Sequence, residues 1–114
     1  MTDARRTLGA EGERRAARWY EARGYIVLAR NWRVREGELD LVVGKGRAVV
    51  FVEVKTRRTA AFGSPAEAVT PAKQVRIRKL AMRWLAEADL GPRELRFDVV
   101  SILGEDLEVI PAAF

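Results

Sequence analysis

Two runs, Gly37-Glu38-Leu39-Asp40-Leu41-Val42-Val43 and Ala48-Val49-Val50-Phe51-Val52-Glu53-Val54-Lys55, decide how this chain is read. Both are rich in β-branched and apolar residues, and Gly44-Lys45-Gly46-Arg47 between them signals a hairpin. Acids and a lysine are unusual inside such runs, because an unpaired buried charge is costly. Side chains alternate across a strand, so Glu53 and Lys55 share one face and Val52 and Val54 the other. Glu38 and Asp40 likewise fall together. A turn centred on Lys45-Gly46 sets Asp40 opposite Phe51 and diagonal to Glu53, about 7–8 Å away. That register gathers Asp40, Glu53 and Lys55 on one face, and a slip of one residue would scatter them.

Two carboxylates so placed suit a hard divalent cation such as Mg²⁺ or Mn²⁺. The cation stabilises charge on a phosphate and lowers the pKa of a bound water. Lys55 can orient or help deprotonate that water, or offset charge in the transition state. The pattern therefore points to metal-dependent cleavage of phosphodiester bonds. The plain alternative is a Glu53–Lys55 ion pair on a solvated strand. Against it, Val49-Val50-Phe51-Val52 is apolar on both faces, which a solvated strand is not.

Composition narrows the chemistry further. The 114 residues include no cysteine and no histidine, which excludes disulfides, thiolate metal sites and imidazole catalysis, and leaves oxygen-ligated cations. A net charge of +5 favours a polyanionic partner; 17 of the 21 basic residues are arginine, which suits phosphate or simply reflects biased codon usage. Hydrophobic residues make up 48% of the chain and charged ones 32%, so a folded globular domain is expected rather than disorder. No run approaches the length of a membrane span, and the charged start Met1-Thr2-Asp3-Ala4-Arg5-Arg6 is unlike a signal peptide. The cytoplasm is the expected location, with no membrane partner.

The chain reads as one domain without repeats or linkers. A first helix, capped by Thr2 or Asp3, is predicted to run to about Arg23 and stop at Gly24. Tyr25-Ile26-Val27-Leu28-Ala29 reads as a short buried strand, followed by the two acidic runs. Thr70-Pro71 opens a second helix ending near Ala88, with Ile77, Leu80, Ala81, Trp84, Leu85 and Ala88 as its core face. Leu95–Leu103 and Leu107–Ile110 close the chain as strands. The order α-β-β-β-α-β-β predicts an α/β fold, a central mixed β-sheet flanked by α-helices.

Glu13 lies in the small-residue stripe of Gly9, Ala16, Ala17 and Tyr20 on the first helix. A carboxylate facing a sheet there needs a cation or a hydrogen-bond donor, so Glu13 is a candidate ligand; pairing with an arginine is the alternative. Glu38 is a weaker candidate, either a supporting acid or a charge near a turn. On the second helix Arg76, Lys79 and Arg83 recur as a basic ridge, a phosphate track or simply solvated surface. Lys73 can reach into the same cleft, and Arg57 and Arg58 can close over a nucleic-acid backbone. Asp98 shares a strand face with Arg96, which favours a structural pair. Trp19, Trp32 and Trp84 are expected to fill core or rim, with stacking on bases as the alternative.

Gly12-Glu13, Arg30-Asn31-Trp32-Arg33, Gly37-Glu38-Leu39-Asp40-Leu41, Val52-Glu53-Val54-Lys55-Thr56-Arg57 and Arg96-Phe97-Asp98-Val99-Val100 together resemble the bacterial YraN-like family over nearly the whole chain. The Asp-x12-Glu-x-Lys spacing resembles the PD-(D/E)xK nuclease superfamily, which includes restriction enzymes and archaeal Holliday junction resolvases. The resemblance implies a restriction-endonuclease-like core, metal ligation by Asp40 and Glu53, and Lys55 as the catalytic lysine. It also implies that Glu13 fills the place of a resolvase glutamate on the N-terminal helix. Leu39 stands where the motif often carries proline. The expected function is a Mg²⁺-dependent DNA endonuclease, with branched or damaged DNA as a candidate substrate; a resolvase role would require a homodimer. Two alternatives are a nucleic-acid-binding module that keeps the fold without turnover, and an adaptor for a larger DNA-processing partner.

Overall fold

The apolar runs form one five-stranded sheet in a computed structural model that describes residues 3–57 and 69–114. Its strands are β1 (Ile26–Val34), β2 (Gly37–Lys45), β3 (Ala48–Arg57), β4 (Glu94–Leu103) and β5 (Asp106–Ile110), and they lie in chain order across the sheet. Helix α1 (Asp3–Glu21) precedes β1, and α2 (Pro71–Ala88) lies between β3 and β4. All neighbours are antiparallel except β3 and β4. A parallel pair cannot be joined by a tight turn, so the connection runs through α2. The architecture is the mixed α/β sheet flanked by helices that the residue pattern predicts.

The sheet buries both faces, which explains why β3 and β4 read as continuous apolar runs. On one face Val42, Val49, Phe51, Phe97 and Val99 pack with Ile77, Leu80, Ala81 and Trp84 of α2. On the other, Leu41, Val43, Val50, Val52, Val100 and Ile102 meet Ala16, Ala17 and Tyr20 of α1. Small residues let α1 come close. A Cβ at Gly12 would stand 2.0 Å from Thr56 Oγ1, so glycine is what allows this turn of α1 to sit directly on β3. Glu13 is positioned by that contact.

Asp98 is fully buried on β4 and serves the fold. It accepts from Tyr20 Oη at 2.7 Å, from Arg96 Nε and Nη2 at 2.8 Å each, and from the Ala112 N–H at 3.0 Å. The carboxylate thus ties α1 and the C-terminal segment to the sheet, as the structural reading of Arg96 and Asp98 expects. Burial, and then the bond to Asp98, push the Tyr20 hydroxyl pKa up. Trp84 is core and Trp32 packs partly buried against it, whereas Trp19 sits at the rim with the Arg23 guanidinium 3.6 Å from its ring centre.

Three sequence expectations need correction. The β2–β3 hairpin pairs Lys45 with Ala48 and Leu41 with Val52, so its turn centres on Gly46-Arg47 rather than Lys45-Gly46. Gly46 alone in that turn has positive φ, +57°, the glycine-first arrangement of a type II′ turn, which suits the twist of the strands. The register therefore moves by two residues, and its continuation past Leu41 and Val52 points Asp40 towards Glu53 rather than Phe51. Strand β1 continues to Val34 rather than ending at Ala29, and it is partly exposed rather than buried, with Ile26 largely in solvent. It is an edge strand, where Arg30, Asn31 and Arg33 can stay in solvent, so its polar half carries little strand signal. Helix α1 ends at Glu21, ahead of the Arg23 boundary, with Gly24 (φ +89°) completing the turn.

Candidate metal centre

Asp40 stands where the sheet comes apart. The β2–β3 ladder stops at Leu41 and Val52, and beyond it the Val54 N–H donates to Asp40 Oδ2 at 2.9 Å. The side chain takes the place of a backbone acceptor in this fork. Leu39 belongs to the α2-side core while Leu41 and Val43 belong to the α1-side core, so strict alternation breaks at Asp40. Asp40, Glu53 and Lys55 therefore do not form one row, contrary to the simple strand expectation. Glu53 and Lys55 keep the parity of Val49 and Phe51 towards α2, and Asp40 lies in the fork. On the other side of β2, the register between Arg30–Leu41 and Trp32–Leu39 sets Asn31 beside Asp40. Asn31 has φ +47°, a left-handed conformation that asparagine tolerates better than most residues.

This break brings three acids together. Glu13 from α1 and Glu38 and Asp40 from β2 each offer a carboxylate oxygen, all within 4.8 Å of one another. Oxygens that share one divalent ion at about 2.0–2.6 Å stand no more than about 4–5 Å apart, so the donors fit a hard cation in chemistry and span. With the Asn31 amide nitrogen turned to Glu13, it donates to Oε2 at 2.9 Å and Oε1 at 3.1 Å. Arg33 Nε donates to Glu38 Oε2 at 2.5 Å. A cleft of about 300 Å³ opens here, lined by Glu13, Asp40 and Asn31 and flanked by Arg14 and Arg30.

Burial and mutual repulsion both act on Glu13 and Asp40. Burial pushes the Asp40 pKa up to about 8, helped next by the Glu53 charge and then by Glu13 and Glu38, while the Val54 N–H opposes the rise. Glu13 is also raised, by burial first and by Glu38 second, with Asn31 and Arg33 opposing. A divalent ion is one remedy for such a site.

The other candidate residues are placed differently. Glu53, whose side chain is 14% exposed, meets Lys73 Nζ of α2 at 2.7 Å and lies outside the three-acid group, although Asp40 feels its charge. Lys55 is exposed. On α2, Arg76 and Lys79 are exposed, and Arg83 pairs with Glu36 in the β1–β2 turn. Arg76 packs near Gly37, which brings the basic ridge beside the start of β2. Arg57 ends β3, where its carbonyl accepts from the Gly104 N–H at 3.4 Å. Arg58 lies outside the described residues. The sequence reading assigns Asn31, Arg14 and Arg30 no site role, although Arg30-Asn31-Trp32-Arg33 is one of the motifs that carry the family resemblance.

The pattern of the Uncharacterised protein family UPF0102 matches residues 12–102, about four-fifths of the chain. The chain belongs to the UPF0102 family. A UPF0102 protein of Beutenbergia cavernae is 58% identical over 100 residues, covering 88% of this chain and 85% of its own length. Another, from Nocardia farcinica, is 54% identical over 99 residues, covering 87% and 78%. A third, from Frankia alni, is 54% identical over 99 residues, covering 87% and 82%. The UPF0102 match begins at Gly12, next to Glu13, and takes in every acid of the cluster. No described helix of this UPF0102 chain is long and apolar enough to cross a membrane.

Proposed function

We propose that this UPF0102 chain is a divalent-cation-dependent nuclease of the PD-(D/E)xK type that hydrolyses phosphodiester bonds in DNA. The observation that carries this reading is the meeting of Glu13, Glu38 and Asp40 within 4.8 Å, with Asp40 across the fork from Glu53. Few structural needs would gather mutually repelling carboxylates at the mouth of a cleft flanked by arginines. Glu13, Asp40 and Glu53, with Glu38 added by the geometry, would hold Mg²⁺ or Mn²⁺. When bound, the ion supplies charge stabilisation at the phosphate and a more acidic water.

The remaining roles fall to the protein. Arg14 and Arg30 flank the cleft, where guanidinium groups can hold phosphate oxygens in pairs and offset their repulsion from the acids. Asn31 holds the Glu13 carboxylate in orientation. Lys55, exposed and two residues beyond Glu53, donates to a phosphate oxygen or to the attacking water. Lys73, Arg76, Lys79 and Arg83 on α2, with Arg57, form the approach along which the DNA backbone lies.

The test is incubation of end-labelled linear, flapped and four-way-junction DNA with Mg²⁺, Mn²⁺ or EDTA. Metal-dependent products that disappear in Asp40→Asn support the proposal, and the preferred substrate names the structure it acts on. Cleavage that persists unchanged in Asp40→Asn refutes the site. Salt-sensitive binding without cleavage would instead favour a binding module built on the same fold.

A further inference from the structure

The Glu53 side chain is largely buried, so it needs a polar partner, and its partner comes from α2 rather than from its own strand. Thr70 caps α2 by accepting from the Lys73 N–H at 3.2 Å, and Pro71 opens the helix, which fixes Lys73 in the first turn. From there the Lys73 ammonium reaches Glu53 Oε1 at 2.7 Å, while its side chain remains 36% exposed. The ammonium thus touches a mostly buried acid and still has a path to solvent.

We propose that Lys73 is an internal counter-ion that stands in for the divalent cation at Glu53 and is displaced when the cation binds. This inference rests on the metal-site reading and adds a residue that couples the ion to the substrate. An ammonium and a divalent ion on one carboxylate repel each other, so each weakens the hold of the other. Once released, Lys73, in the first turn of α2 and partly exposed, is a free phosphate donor beside Glu53. Cation binding and nucleic-acid binding then reinforce each other through one side chain, and the coupling is reciprocal. Lys73 is a positioning residue in this scheme, because it acts through Glu53.

The experiment is calorimetric titration of Mn²⁺ into the wild type, Lys73→Met and the double variant Lys73→Met/Glu53→Gln, with circular dichroism confirming the fold. Methionine keeps much of the apolar stem and removes the charge. The expected result is Mn²⁺ binding roughly three- to tenfold tighter in Lys73→Met, the factor that an ion pair of modest strength corresponds to. That gain is lost in the double variant. A side chain with only a structural role would not tighten binding when removed. Binding in the wild type that is equal or weaker in Lys73→Met overturns the counter-ion role and leaves the metal site standing. Binding in neither protein overturns both.

Discussion

Asp40→Asn is expected to stabilise the metal-free protein at neutral pH, although the residue is assigned to the centre of the site. Folding raises the Asp40 pKa from 3.8 to about 8, chiefly by burial and by the Glu53 charge. Between those values the folded chain holds a proton that the unfolded chain gives up. Stability therefore falls as pH rises through that window, by about 1.4 kcal/mol per pH unit. From pH 4 to pH 7 the upper bound is about 4 kcal/mol, and water in the open cleft screens part of it. A gain of about 1–2 kcal/mol is expected for Asp40→Asn at pH 7.5 in EDTA, or about 4–10 °C in melting temperature. Asparagine keeps an oxygen that can accept from the Val54 N–H, so the backbone bond at 2.9 Å survives. Thermal melts at pH 4.5 and pH 7.5 provide the assay, and the difference should nearly vanish at the lower pH. Saturating Mn²⁺ should reverse the order, because it stabilises only a chain that binds it. A wild type more stable than the variant at pH 7.5 in EDTA, or a difference that ignores pH, would show that burial does not raise the Asp40 pKa in this way.

Other perturbations separate the site from its scaffold. Gly12→Ala drives a methyl group against Thr56 Oγ1 and should cost about 1–3 kcal/mol in denaturant unfolding. Adding Thr56→Ala should recover most of that loss; no recovery would mean that the close approach is not the cause. Asp98→Ala leaves Arg96 without its carboxylate and should cost about 3–5 kcal/mol. A loss below about 1 kcal/mol would show that the network contributes little. Asn31→Gly relaxes a left-handed residue but removes the Glu13 donor. Its melting temperature should stay near the wild-type value while Mn²⁺ affinity falls severalfold, and unchanged affinity would remove Asn31 from the site.

Much of the fold is legible because it rests on local signals. Thr70-Pro71 marks the start of α2, and its apolar stripe names the face that packs on Phe51 and Phe97. The acidic hairpin is visible because Asp40 and Glu53 interrupt apolar runs. What stays hidden depends on contacts between distant segments or on backbone irregularity. The choice of Gly46-Arg47 over Lys45-Gly46 as turn centre moves the register by two residues, and two glycines in four positions leave both turns open. The alternation rule fails at Asp40, where β2 and β3 separate, so a period-two reading could not place its side chain. Glu38 looked peripheral because nothing local brings α1 and Glu13 to it. The pairing of Glu53 with Lys73 crosses from β3 to α2, and strand periodicity suggests Lys55 instead.

If these acids hold a divalent ion needed to break a phosphodiester bond, cleavage depends on both the ion and the carboxylates. The most direct test is the cleavage rate of the best DNA substrate against Mn²⁺ concentration, in the wild type, Glu13→Gln, Asp40→Asn and Glu53→Gln. Saturable Mn²⁺-dependent cleavage in the wild type is expected, with losses of about a hundredfold or more in folded Asp40→Asn and Glu53→Gln. Cleavage that survives EDTA, or that runs at wild-type rate in both variants, would contradict the account.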